Sequence, residues 1–129
     1  MNKKTIFVVD DSLTELTVLK GLLSNNYNII TLNSAMKMFA KFEDVIPDLI
    51  LLDVSMPTIS GNEAIDKLKA NPAWARIPFI FVTGWKDEKM IEHCMKLGAV
   101  CVINKPFNQA YLLECVEKGL RRSSSWGTR

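Results

Sequence analysis

Short apolar runs alternate with amphipathic stretches along the whole chain. Five runs are mostly rich in β-branched or aromatic residues and too short for buried helices: Thr5 to Val9, Tyr27 to Leu32, Leu49 to Leu52, Phe79 to Val82 and Val100 to Ile103. Such runs predict buried strands. Between them apolar residues recur at helical spacing, as in Leu13, Leu16, Leu19, Leu22 and Leu23, and again in Leu112, Leu113, Val116 and Leu120. The pattern predicts five strand-then-helix units, which favours a doubly wound α/β fold with a parallel sheet.

Local signals agree with this division of the chain. Ser12 is followed three residues later by Glu, which matches the capping box at the start of a helix. Asn108 can cap the last helix through its side-chain oxygen. Gly98 follows a helical stretch and suits the left-handed position at which helices often end. Helix starts and stops are therefore predicted where the hydrophobic pattern changes.

Length and composition indicate a single folded domain. The chain has 129 residues, of which 48% are hydrophobic and 23% charged, as is usual for globular domains. Residues 122–129 are rich in Ser and Arg and are expected to be a disordered tail or a cut linker. No apolar run approaches ~18 residues, and the start has no signal-peptide core. A cytoplasmic protein without membrane contact is expected.

The net charge of +2 gives no support for nucleic-acid binding. Four of the positive charges, Lys118, Arg121, Arg122 and Arg129, lie at the C-terminal end with no acidic residue among them. Residues 1–117 carry 12 basic and 14 acidic residues, so the body of the domain is mildly acidic. Contact with DNA or RNA through a basic surface is therefore not expected.

Other residues that often carry chemistry are expected to be structural here. Cys94, Cys101 and Cys115 are an odd number, show no C-x-x-C spacing and lie in apolar stretches, which favours buried, reduced thiols. His93 falls within a predicted helix and is interpreted as a partly exposed helical residue. None of the four is assigned to a site.

Polar residues follow the apolar runs at the points where the strands are predicted to end. Asp10 and Asp11 follow the first run, Asp53 the third, Thr83 the fourth and Lys105 the fifth. In parallel α/β sheets, ligands bind outside the carboxyl ends of the strands. Three carboxylates, one hydroxyl and one ammonium are therefore expected to converge on one edge.

Three close carboxylates repel one another unless a cation neutralises them. Mg²⁺ prefers oxygen ligands and is commonly held by carboxylates together with a phosphate, whereas Zn²⁺ would call for His and Cys ligands. With a metal present, one of the carboxylates can act as a nucleophile toward a phosphoryl group. Lys105 can supply a positive charge to the phosphoryl oxygens, and the Thr83 hydroxyl can donate a hydrogen bond to them. Gly84 leaves room for the incoming group.

Four segments together resemble the response regulator receiver family over about residues 5 to 121: Val8-Val9-Asp10-Asp11-Ser12, Leu51-Leu52-Asp53-Val54-Ser55-Met56-Pro57, Val82-Thr83-Gly84 and Lys105-Pro106-Phe107. The resemblance implies a receiver domain over 1–121 with a flavodoxin-like strand order 2-1-3-4-5. It implies that Asp53 is phosphorylated by a histidine kinase or phosphotransfer protein. It also implies that Asp10, Asp11, Asp53 and the backbone carbonyl of Ser55 bind Mg²⁺. The peptide bond between Lys105 and Pro106 is expected to be cis, as is usual in the family.

Two positions depart from the family pattern. The family usually has Tyr or Phe three residues before the lysine, where the ring takes part in activation, and this chain has Val102. Acidic residues common after Gly98 and Ala99 are replaced by Val100 and Cys101. The replacement is compatible either with an apolar face for a partner or with burial against helices.

Phosphotransfer signalling is the leading hypothesis for function, with chemistry limited to the domain's own phosphorylation and autodephosphorylation. An enzyme with an aspartyl nucleophile would normally need a second acid two residues after the first, where this chain has Ser55. A degenerate receiver that docks partners without phosphorylation is the alternative, favoured only by Val102. The sequence leaves open the kinase, the downstream target, the oligomeric state, and whether the domain stands alone or comes from a longer regulator or hybrid kinase.

Overall fold

Five parallel strands form one sheet whose bounds follow the apolar runs. The structure, a computed structural model, describes residues 3–54, 61–84 and 88–127. The strands are β1 (Thr5–Val9), β2 (Asn28–Leu32), β3 (Leu49–Asp53), β4 (Phe79–Thr83) and β5 (Val102–Asn104). Their order is β2-β1-β3-β4-β5, and every neighbouring pair is parallel. The predicted strand order and sheet type are confirmed.

Helices cover both faces of this sheet. They are α1 (Leu13–Leu23), α2 (Ala35–Lys41), α3 (Gly61–Ala70), α4 (Glu88–Lys96) and α5 (Gln109–Gly127). Helices α2, α3 and α4 supply buried residues to one apolar cluster, and α1 and α5 to another. The doubly wound fold is therefore confirmed. Within the described ranges, no helix combines the length and apolar character needed to cross a lipid bilayer.

Strand residues alternate between the two clusters. Phe7 and Val9 of β1 pack on the side of α2, α3 and α4, whereas Ile6 and Val8 pack on the side of α1 and α5. The same alternation continues through β3 and β4. Because both faces of the sheet are buried, its strands appear in the sequence as continuous apolar runs.

The helix ends use the predicted residues. The Ser12 hydroxyl accepts a hydrogen bond from the Glu15 backbone N–H at 3.3 Å, and the Asn108 side-chain oxygen accepts one from the Tyr111 N–H at 3.1 Å. Gly98 has φ +100°, a conformation that side chains with a Cβ rarely adopt. These caps satisfy backbone groups that a helix leaves unpaired.

Leu13 does not share the buried face of α1, although its spacing grouped it with the other leucines of this helix. Leu16, Leu19 and Leu23 are buried, but the Leu13 residue is 76% exposed. At about 100° per residue, Leu13 and Leu22 lie about 90° to either side of the buried stripe. Leu22 is half-buried, whereas Leu13 begins the helix and remains open to solvent.

Strand β5 begins at Val102, later than the apolar run suggested. Val100 and Cys101 nevertheless bond to β4: the Val100 N–H donates to the Phe79 carbonyl at 2.9 Å, and the Cys101 carbonyl accepts from the Phe81 N–H at 3.2 Å. Both residues are buried. Of the two readings left open for this pair, burial is the one the structure supports.

Helix α5 continues past residue 121 as far as Gly127, where the sequence suggested a tail. Each further helical residue adds one backbone hydrogen bond, and Arg and Ser are tolerated in helices, so a run of them does not by itself stop a helix. The domain limit at 121 and the linker character of 122–129 stay predictions.

The residues expected to be structural behave as such. Cys94, Cys101 and Cys115 are buried free thiols, as predicted. Burial raises the pKa of the Cys94 thiol, which keeps it protonated and unreactive near neutral pH. His93 is exposed on α4.

Helix α5 lies unusually close to β3 at Gly119. A Cβ atom at this position would approach the Leu49 Cδ1 atom to 2.6 Å, and Leu49 is fully buried. By contrast, a Cβ at Gly21 in α1 would meet nothing within 4 Å. The two helical glycines therefore differ in what surrounds them.

We expect Gly119→Ala to lower the free energy of unfolding by about 1 kcal/mol, because overpacking outweighs the gain in helix propensity. The matched change Gly21→Ala should raise it by up to about 1 kcal/mol, since only the propensity gain applies. Urea unfolding measures both. Stabilisation by Gly119→Ala would show that the close contact between α5 and β3 is wrong.

Candidate functional site

The strand register gathers the predicted polar residues at the carboxyl edge of the sheet. Val9 of β1 pairs with Leu52 of β3, so the residues that follow, Asp10 and Asp53, lie side by side. Thr83, the last residue of β4, pairs with Asn104 of β5. Each of these strands thus delivers a polar residue to the same place.

Asp10, Asp11 and Asp53 form one acidic cluster, as predicted. One carboxylate oxygen from each lies within 4.8 Å of the others. Asp10 and Asp53 are buried at 2% and 6% exposure, whereas Asp11 is exposed. The cluster therefore has two shielded carboxylates and one that faces solvent.

Both carboxylate oxygens of Asp10 have partners. Oδ1 accepts a hydrogen bond from the Ser12 backbone N–H at 2.9 Å, which fixes the turn between β1 and α1. Oδ2 lies 2.9 Å from the Lys105 Nζ atom in an ion pair. Asp10 is thus held between the start of α1 and the loop that follows β5.

Lys105 is kept in its charged form by this acidic surrounding. Burial by itself would lower the pKa of the Lys105 ammonium, but the hydrogen bond to Asp10 and the negative charges of Asp53, Asp10 and Glu15 outweigh it. The net result is a raised pKa, so Lys105 remains positive at neutral pH. A permanently charged lysine is therefore present beside the buried carboxylates.

Charge balance shows what the cluster can hold. Among these four described residues, three carboxylates face one ammonium group. A cluster of carboxylate oxygens in which acidic groups outnumber basic ones suits a hard divalent cation. Asp10, Asp11 and Asp53 could therefore hold a metal ion, and the donor set contains no His or Cys that would favour zinc.

Thr83 lies next to Lys105. Thr83 is 1% exposed, and its carbonyl accepts a hydrogen bond from the Lys105 backbone N–H at 2.8 Å. The peptide bond between Lys105 and Pro106 is cis, as expected. Of the predicted site residues, only Ser55 lies outside the described part of the chain.

The sequence reading missed the direct pairing of Lys105 with Asp10. These residues are 95 positions apart, and Lys105 was expected to serve the phosphoryl oxygens alone. Glu15 also acts on the Lys105 pKa, although the sequence suggested only a capping role for it. No local pattern indicates either contact, because both depend on how the strands are ordered in the sheet.

The response regulator receiver domain family matches residues 6–117, most of the chain and the whole of the site. The chain belongs to this family. Receiver domains act in two-component signal transduction, and the family is typically phosphorylated on Asp and typically binds Mg²⁺. The chain is therefore a receiver of two-component signalling.

Similar proteins and solved structures agree with this family assignment. The receiver is 26% identical to the chemotaxis protein CheY of Listeria monocytogenes, over 90% of this chain and 98% of that protein. It is 32% identical to the transcriptional regulatory protein ZraR of Salmonella typhimurium, over 97% of this chain and 28% of that protein. The crystal structure of FixJ-N superposes with a TM-score of 0.82 at 31% identity, covering 94% of this chain and 96% of that one.

Several relatives are much longer than the receiver. The match to hybrid signal transduction histidine kinase D of Dictyostelium discoideum, 30% identical, covers 87% of this chain but 7% of the kinase. The match to a probable cyclic di-GMP phosphodiesterase of Vibrio cholerae covers 28% of that protein. The receiver thus spans only a small part of the length of these relatives.

We expect Lys105→Met to lower the free energy of unfolding by about 2 kcal/mol in the presence of a chelator, because it leaves the buried Asp10 carboxylate without its counter-charge. The matched change is Lys96→Met, which breaks an exposed pair with Glu92 of 3.7 Å and should alter stability by less than about 0.5 kcal/mol. Urea unfolding compares the two. Equal losses of stability would mean that the ion pair between Lys105 and Asp10 contributes no more to stability than an exposed pair does.

Proposed function

We propose that this receiver accepts a phosphoryl group on Asp53 in a Mg²⁺-dependent reaction and then changes its affinity for a partner protein. The donor is the phosphohistidine of a histidine kinase or of a phosphotransfer protein. The observation that carries the proposal is the joint placement of the three carboxylates, Thr83 and the charged Lys105 at one sheet edge.

In the proposed reaction an Asp53 carboxylate oxygen attacks the phosphorus atom. The P–N bond to the donor imidazole breaks, its electron pair stays on the imidazole nitrogen, and Asp53 becomes an acyl phosphate. Lys105 would neutralise charge on the phosphoryl oxygens, which agrees with its raised pKa. The Thr83 hydroxyl would donate to the same group, and the burial of Asp53 limits access of water.

Mg²⁺ fits the acidic cluster described above. The carboxylates of Asp10, Asp11 and Asp53 and the backbone carbonyl of Ser55 would hold it. When bound, the ion supplies positive charge that offsets both the carboxylates and the incoming phosphoryl group. Asp10 and Asp53 are already positioned by β1 and β3, so little rearrangement of the strands is needed.

A degenerate receiver that docks partners without phosphorylation remains the second candidate, and Val102 favours it. Val102 is 9% exposed and packs into the cluster on the side of α2, α3 and α4. A small buried side chain cannot swing between an outward and an inward position as a surface ring can. Transmission of the phosphorylated state would therefore have to use Thr83 and the backbone around it.

Phosphorylation can be tested directly. With a small phosphodonor and Mg²⁺, the mass of the intact receiver should rise by one phosphoryl group, and Asp53→Asn should abolish the increase. Asp44→Asn, which changes an exposed carboxylate outside the site, should leave it unchanged. Full labelling of Asp53→Asn would refute the assignment of the acceptor.

Binding of Mg²⁺ should raise the free energy of unfolding, because the ion relieves repulsion within the acidic cluster. At ten times the dissociation constant the expected gain is ~1.4 kcal/mol. Thermal or urea unfolding with Mg²⁺ and with chelator measures it.

Asp11→Ala should remove most of the gain from Mg²⁺, whereas Asp44→Ala, which also deletes one exposed carboxylate, should retain it. A receiver whose stability is indifferent to Mg²⁺ over the millimolar range would argue against a metal site in this cluster.

A further inference from the structure

A concave site lies between α2 and α3, and none of its lining residues belongs to the acidic cluster. It is lined by Met36 and Phe39 of α2, Lys67 of α3 and Trp74 of the connection between α3 and β4, and is called here the α2–α3 cleft. Its volume is about 340 Å³, within the range of small-molecule sites. Trp74 precedes β4, whereas Thr83 ends it, so the Trp74 side of the cleft lies toward the opposite edge of the sheet.

The cleft has an aromatic wall that is anchored in the core. The ring centroid of Trp74 lies 4.8 Å from that of Phe42 and 5.6 Å from that of Phe39. Phe42 in turn stacks on the fully buried Phe7 of β1 at 5.7 Å. Because these rings support one another, the wall exists before any ligand binds, and a flat apolar molecule can pack on it without ordering new side chains.

Lys67 gives the cleft its charge. In the part of the chain that the structure describes, its ammonium has neither a carboxylate partner nor a hydrogen bond. Lys69, in the same last turn of α3, has a structural role: it donates to the Ala75 carbonyl at 3.3 Å and lies 5.5 Å from the Phe79 ring centroid. A favourable interaction with the helix dipole accounts for a cation at this end of α3, but not for its place in an apolar cleft.

We propose that the α2–α3 cleft binds a small aromatic carboxylate, with its ring against Trp74 and Phe39 and its carboxylate at Lys67. The single positive charge selects an anion and disfavours cationic ligands, although aromatic walls alone would attract cations. Met36, 61% exposed and unbranched, can adapt to rings of different outline. This ligand site is additional to the proposed phosphorylation chemistry and does not depend on it.

Naphthoate is a suitable probe, followed by the indole N–H signal of Trp74 in two-dimensional NMR spectra. Trp74→Phe assigns this signal, because it removes one indole resonance. We expect a saturable shift with a Kd of about 1 mM or tighter. Neutral naphthylmethanol should bind more weakly, and naphthylmethylammonium more weakly still.

Charge-removing variants separate Lys67 from general electrostatics. Lys67→Gln should weaken naphthoate binding about tenfold and leave naphthylmethanol unchanged. The matched variant is Lys37→Gln, which removes a positive charge from an exposed position of α2 outside the cleft. It should bind naphthoate as the parent does. Both residues are exposed, so neither change should disturb folding.

Several results would overturn the proposal. The first is that the Trp74 signal does not shift at several millimolar naphthoate. The second is that Lys67→Gln and Lys37→Gln weaken naphthoate binding equally. The third is that the ammonium and carboxylate probes bind with equal affinity. If the Trp74 signal responds to protein concentration and not to naphthoate, a second copy of the chain covers the cleft, and the small-molecule assignment is wrong.

Discussion

The parallel pairing of β1, β3, β4 and β5 is the constraint on which the rest of this structure depends. The carboxyl ends of parallel strands lie at the same edge of the sheet, so polar residues that directly follow these strands come close together. The pairs Val9 with Leu52 and Thr83 with Asn104 set this arrangement within the sheet. A register slip of one residue would turn each strand's side chains to the opposite face and disperse the site.

Gathering charge at one edge is unfavourable for folding, and the ion pair between Lys105 and Asp10 partly offsets it. Their 2.9 Å contact joins the loop after β5 to the turn after β1, across the width of the central sheet. Within the described residues, carboxylates still outnumber ammonium groups in the cluster, and such oxygen donors suit a divalent cation. The hydrogen bond to Asp10 and the negative charges of Asp53, Asp10 and Glu15 raise the Lys105 pKa, so the lysine stays charged. Fold stability and proposed chemistry therefore share the same residues.

The helical layers on the two faces of the sheet differ in how they pack on it. Helix α5 packs on β3 so that a Cβ at position 119 would force the buried Leu49 side chain to shift. On the other side, Phe42 directly after α2 and Trp74 in the connection before β4 contribute rings that extend from the core to an open cleft. Val102 also packs on that side, so the layer that holds the cleft also contains the residue that replaces the family's usual aromatic ring.

The order and type of the five strands and five helices could be predicted from sequence, because buried strands and amphipathic helices have different periodicities and caps such as Ser12 are local signals. It also predicted Asp10, Asp11, Asp53, Thr83 and Lys105 as a group, since each follows an apolar run. The pairing of Lys105 with Asp10, the exposure of Leu13 and the α2–α3 cleft became visible in the folded chain alone. These features depend on distances between segments far apart in the chain, on which periodicity and capping carry no information.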